Sequence, residues 1–154
     1  MIGDRAVEDS DNIGLGYWTH QFQGAVSWYP WDNRGTAVTA AVTDELNGDK
    51  EDFDFTPGQR LSLNWGASQY LPLTKDQTLL AEVGIAGYSQ WQITDDTGSD
   101  ASSDTHDQVH AVGAQLGLIV VPWNGALNFH YFHEFDSEDR FQGDVFGLNL
   151  ALKW

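Results

Sequence analysis

Hydrophobic and polar residues alternate along most of this chain with a period of two. Side chains of successive strand residues point to opposite faces, so the alternation predicts strands with one apolar and one polar face. From Trp18 to Pro30 the even positions are Trp18, His20, Phe22, Gly24, Val26 and Trp28, against Thr19, Gln21, Gln23, Ala25 and Ser27. Thr36 to Leu46 sets Val38, Ala40 and Val42 against Thr39, Thr43 and Glu45. Arg60 to Leu71 sets Leu61, Leu63, Trp65 and Ala67 against Arg60, Ser62, Asn64 and Ser68. From Thr78 to Ile93, Leu79, Ala81, Val83 and Ile85 oppose Glu82, Gly84, Tyr88 and Gln90. From Gln108 to Val121, Val112, Ala114, Leu116, Leu118 and Val120 oppose Gly113, Gln115 and Gly117. From Ala126 to Phe135, Leu127, Phe129 and Tyr131 oppose Asn128, His130 and Glu134. The last run sets Phe146, Leu148, Leu150, Leu152 and Trp154 against Gly147, Asn149, Ala151 and Lys153. Most of these runs exceed the roughly 5–6 residues usual in soluble sheets. They match the roughly 9–11 residues that cross a bilayer at a tilt.

The connections alternate in length. Asp32-Asn33-Arg34-Gly35, Thr74-Lys75-Asp76-Gln77 and Pro122-Trp123-Asn124-Gly125 read as tight turns. Asn47 to Gly58 and Asp95 to Asp107 are long and acidic, and Asp136 to Asp139 reads as a compact acidic turn. Outer-membrane barrels have short periplasmic turns and longer extracellular loops, which gives each strand a direction and puts the C-terminus on the periplasmic side. Trp28, Tyr29, Trp31, Tyr70, Trp123 and Trp154 then fall near the periplasmic ends, and Trp18, Phe53, Phe55, Trp91 and Phe135 near the other. Two aromatic belts are expected where a barrel wall meets two interfaces. The fold expected is an all-β, antiparallel up-and-down transmembrane barrel of about seven or eight strands over residues 13–154, after a flexible segment at residues 1–12. An eighth strand would lie around Ile13 to Tyr17. The odd count otherwise implies further strands upstream, making this the C-terminal part of a larger barrel. Met1 to Arg5 carries no apolar export segment; either a signal was removed or, as the strand count favours, the numbered chain begins inside a longer protein.

Composition narrows the function classes. With 7 Lys+Arg and 23 Asp+Glu the net charge is −16, which repels phosphate backbones and argues against nucleic-acid binding. No apolar run approaches the roughly 20 residues of a transmembrane helix. The absence of cysteine rules out disulfides and thiolate metal sites. No nucleophile elbow, P-loop, dinucleotide fingerprint or zinc-protease helix occurs, so no enzyme activity and no cofactor are expected.

Several stretches together resemble one family. They are Asn12 to Thr19, Phe55 to Arg60, Gly87 to Gln92, Tyr131 to Phe135 and Asp139 to Gly143. The pattern resembles the outer-membrane family labelled "putative meta-pathway of phenol degradation". The resemblance implies a transmembrane barrel, in the bacterial outer membrane, concerned with passage of small hydrophobic or aromatic compounds. The final series Phe146, Leu148, Leu150, Leu152 and Trp154 is similar to the C-terminal signal recognised by the barrel assembly machinery, with Trp in place of the usual Phe. A plain last strand would show nearly the same series.

By parity, Arg60, Asn64, Glu82, Tyr88, Gln90, Gln115, His130, Glu134 and Lys153 line the interior, joined by Gln21, Gln23, Ser62, Asn128 and Asn149. Arg60 with Glu82, or Lys153 with Glu134, are candidate pairs across the wall. His130, His133 and Glu134 invite a metal reading, but residues three apart on a strand face opposite ways. His106 and His110, beside Asp104 and Asp107, are a second candidate, outweighed by a solvated loop. Divalent cations bridging the acidic loops to lipopolysaccharide are a further expectation. Solvated, disorder-tending loops are the simpler one. The leading reading is a passive channel set in outer-membrane lipid. A soluble lipocalin-like barrel, with apolar faces inward, is the first alternative. A structural or adhesive barrel is the second.

Overall fold

The computed structural model describes residues 16–50, 53–101 and 106–153. Seven strands form one antiparallel sheet in chain order: β1 (Thr19–Trp28), β2 (Thr36–Asn47), β3 (Arg60–Pro72), β4 (Leu79–Gln92), β5 (Gln108–Val120), β6 (Gly125–Glu138) and β7 (Asp144–Leu152). The sheet curls into a half-barrel. The other regular element among the described residues is a single 3₁₀ turn, Val121–Trp123. Every strand expected from the alternation is present. Of the suggested eighth strand, Ile13 to Leu15 lie outside the described residues, as do residues 1–12, and Gly16 and Tyr17 form a bend.

Register keeps the two faces separate across the whole sheet. Gln23 stands opposite Thr43, Thr43 opposite Ser62, Ser62 opposite Gln90, and Gln90 opposite Val109. The polar positions of neighbouring strands therefore form one face. Burial shows which face is inside the curve. Thr43, Ser68 and Glu134 are buried, as are Ala37, Val109 and Ala111 beside them, whereas Val42, Ile85 and Leu116 on the opposite face are exposed. A water-soluble sheet places its apolar side chains inside; this one holds them out. The lipocalin-like alternative requires the opposite arrangement.

The three short turns share one device. Arg34, Gln77 and Asn124 each adopt a left-handed backbone, with φ of 52°, 56° and 46°. Each also donates its amide to the carbonyl three residues earlier, Trp31, Thr74 and Val121 respectively. A reversal followed by a left-handed residue matches the twist of the flanking strands. At the other end of the sheet, β6 runs on to Glu138, through the segment expected to be an acidic turn. A register shift between Gln108 and His110 absorbs one extra residue on β6, and Asp136 takes a positive φ of 51° there.

The described parts of the long acidic connections are joined to each other by their own carboxylates. Between residues 48–59 and 93–107, Thr56 and Thr97 exchange backbone hydrogen bonds at 2.8 and 3.0 Å. Asp54 Oδ2 accepts the Ser99 amide, Asp100 Oδ2 accepts the Asp54 amide, and Asp96 Oδ1 accepts the Gly58 amide. These described stretches are largely solvent-exposed but sewn to each other. The acidic side chains serve as acceptors for loop N–H groups.

Candidate functional site

The inner face is the part of the molecule with convergent chemistry, and strand register assembles it. Toward the short turns, Gln115 Nε2 donates to Glu82 Oε1 at 2.7 Å from β5 to β4. Toward the long loops, Gln90 Nε2 donates to Ser62 Oγ at 3.3 Å. Further along, Arg60 Nη2 lies 2.8 Å from Asp107 Oδ2. Hydroxyls, amides and carboxylates thus pair sideways, strand to strand, and leave the inner surface polar.

The densest cluster spans β4 to β6. Tyr88 Oη donates to Glu134 Oε1 at 2.6 Å, and Glu134 Oε2 accepts the Gly143 amide at 2.9 Å. Arg140, on the connection between β6 and β7, reaches back over β5. Its Nη1 donates to Gln90 Oε1 at 2.7 Å, and its Nη2 stands 3.9 Å from Glu134 Oε1. Below these polar groups lie three rings. Tyr88 meets Phe132 edge-on at 5.5 Å between centroids, and His130 stacks on Phe132 at 6.3 Å.

Of the residues singled out by parity, Arg60, Asn64, Glu82, Tyr88, Gln90, Gln115, His130 and Glu134 share the inner face by register. Lys153 follows β7 at the short-turn end, where its amide donates to the Asn124 carbonyl. The two suggested charge pairs do not form. Arg60 stands opposite Gln92 and Glu82 opposite Tyr70, so they lie at opposite ends of the sheet. Lys153 and Glu134 are separated in the same way along β6, and Glu134 is held by Tyr88 instead.

The histidines do not converge. His130 and His133 face opposite ways, and His133 Nδ1 lies 2.9 Å from Asp144 Oδ1 on the outer side. His106 pairs with Asp95, and His110 bonds Ser89 Oγ between the Trp91 and Phe135 rings. Among the described residues no group of three or more His, Cys, Asp or Glu is placed to hold a metal ion.

Three inner-face residues escaped the alternation. Phe132 occupies a polar-parity position but is itself apolar. Arg140 lies between strands, where parity has no meaning. Asp107 precedes β5 and declares itself only by its partner. The parity of His130 and Glu134 was the signal that locates Phe132.

The outer face carries the aromatic groups expected at the sheet ends. Trp28, Trp31 and Trp123 are exposed at the short-turn end, and Trp18, Phe53 and Phe135 at the other. Tyr70 departs from that belt, because its register with Glu82 turns it inward. Trp65 adds an outward ring in mid-strand, lying over Gly87. Phe146, Leu148, Leu150 and Leu152 form an exposed row on edge strand β7; Trp154 lies outside the described residues.

A family model described as "Putative MetA-pathway of phenol degradation" matches residues 2–150. No curated protein and no solved structure matches the chain.

Proposed function

The chain belongs to the family described as "Putative MetA-pathway of phenol degradation", and on that premise we propose that it forms wall of an outer-membrane β-barrel through which small hydrophobic or aromatic molecules pass. The observation that carries this reading is the inverted burial of the sheet. Seven strands of 9 to 14 residues hold apolar side chains outward and polar ones inward. In water such an outer face is costly, at about 25 cal/mol for each Å² of apolar surface left wet. In a bilayer it is the solvated face, and the polar face lines a path. Strands of this length suit a hydrocarbon layer of roughly 30 Å.

Passage would be passive, with selectivity set by the width and chemistry of the inner face. The outward row Phe146, Leu148, Leu150 and Leu152 on an edge strand suits recognition by the barrel assembly machinery. In such a wall the edges of β1 and β7, unpaired among the described residues, require strand partners, because an open edge is not tolerated in lipid.

Liposome swelling with the reconstituted full-length protein tests the reading. Solute-dependent swelling with small neutral solutes is expected. Vesicles that contain folded protein and admit no solute would overturn it.

A further inference from the structure

We propose that the inner face carries a subsite for an aromatic carboxylic acid, in which Tyr88, Phe132 and His130 contact the ring and Arg140 receives the carboxylate. The proposal rests on the channel reading and deepens it.

The first ground is the ring cluster. Much of the inner face is built of amides, hydroxyls, carboxylates and small residues, yet on it Phe132 meets Tyr88 at 5.5 Å and His130 at 6.3 Å between centroids. Each rises beside a residue with little or no side chain. Tyr88 is in register with Ala111, Phe132 with Gly113, and His130 with Gly147. A Cβ built at Gly147 would meet only His130 Cδ2, at 3.7 Å, so that edge of the imidazole is not crowded by a neighbour. A planar ligand can reach the rings from that side, and offset or edge-on contacts reward a flat π-system over a saturated one.

The second ground is how Arg140 is paired. Arg60, the other inner-face arginine, is matched by Asp107 at 2.8 Å. Among the described residues Arg140 is fixed mainly by a neutral amide, Gln90, while its nearest carboxylate oxygen stands at 3.9 Å and already accepts the Tyr88 hydroxyl. Its fork of five N–H donors is therefore positioned and, among the described residues, only partly used. A planar guanidinium held this way takes a carboxylate through two parallel hydrogen bonds. In a chain of net charge −16, such a cation is what makes an anion acceptable at this place. The guanidinium and the Tyr88 hydroxyl both approach Glu134 Oε1, which sets Arg140 at the Tyr88 end of the ring cluster.

Calorimetric titration of the detergent-solubilised full-length protein with benzoate and cyclohexanecarboxylate, which share a charge and differ in the π-face, tests this. Benzoate is expected to bind about fivefold more tightly. Phe132→Leu, or His130→Leu should the first variant not fold, should bring the two affinities together. Arg140→Gln should weaken both acids alike by about tenfold. Equal affinities in the wild type, or no effect of Arg140→Gln, would overturn the subsite. Glycerol uptake by liposomes reads the channel separately: uptake together with equal acid affinities sinks the subsite alone, and absent uptake sinks the channel reading.

Discussion

The Tyr88 hydroxyl donates to Glu134 Oε1 at 2.6 Å across the full width of β5. Ala111 is in register with both residues, and its methyl group is small enough for them to meet above it. The other carboxylate oxygen takes the Gly143 amide. One buried carboxylate thereby ties β4, β6 and the β6–β7 connection together.

Tyr88→Phe removes the donor and leaves a buried carboxylate oxygen short of a partner. The expected loss is about 1–3 kcal/mol, read from urea unfolding in detergent. Ala111→Leu should cost a similar amount by wedging the pair apart. Unaltered stability in both variants would show that the contact is incidental.

Gly87 stands opposite Trp65, whose ring covers it on the outer face. A Cβ at position 87 would run into that ring and would lie 2.5 Å from the Ala111 carbonyl oxygen. Gly87→Val should therefore destabilise by about 1–3 kcal/mol through overpacking. Adding Trp65→Leu should restore only part of that, since the Ala111 carbonyl remains in the way. Unfolding followed by far-ultraviolet circular dichroism reads both effects.

The sewn loops should loosen in acid. The Ser99 amide, and then its hydroxyl, hold the Asp54 carboxyl below its ordinary value. The folded value being the lower, this contact stabilises the loops fully above the unfolded carboxyl range of about 3.9. That stabilisation is lost as pH falls through the folded value. Hydrogen-exchange protection of the Ser99 and Asp100 amides, corrected for intrinsic rates, should drop in that window. Asp54→Ala should remove the pH dependence. Protection that stays level in acid would contradict the assignment.

Much of the inner wall was legible because parity is a local property. Once Asn128 and His130 face inward, Glu134 must as well, provided the strand is unbroken between them. Partners were not legible, because they depend on register between strands far apart in sequence. Arg60 and Glu82 looked complementary, and register put them at opposite ends of the sheet. Arg140 was invisible for a related reason: residues of a connection have no alternation to read, and its reach to Gln90 is set by the path of the β6–β7 segment. The pairing of the acidic loops was likewise not legible from composition. Asp54, Asp96 and Asp100 suggest only a solvated surface, yet each accepts a backbone amide from the facing loop.

The orientation of the two faces is the claim on which the rest depends. The chain has no cysteine, so a single introduced cysteine reports one position. In the full-length protein reconstituted into vesicles, cysteines replacing Asn64, Gln90 and Gln115 on one face, and Leu63, Val83 and Leu116 on the other, can be treated with a water-soluble maleimide. Reaction is expected at the first three positions, and protection by lipid at the second three. Reaction at Leu63, Val83 and Leu116 with protection at Asn64, Gln90 and Gln115 would contradict it.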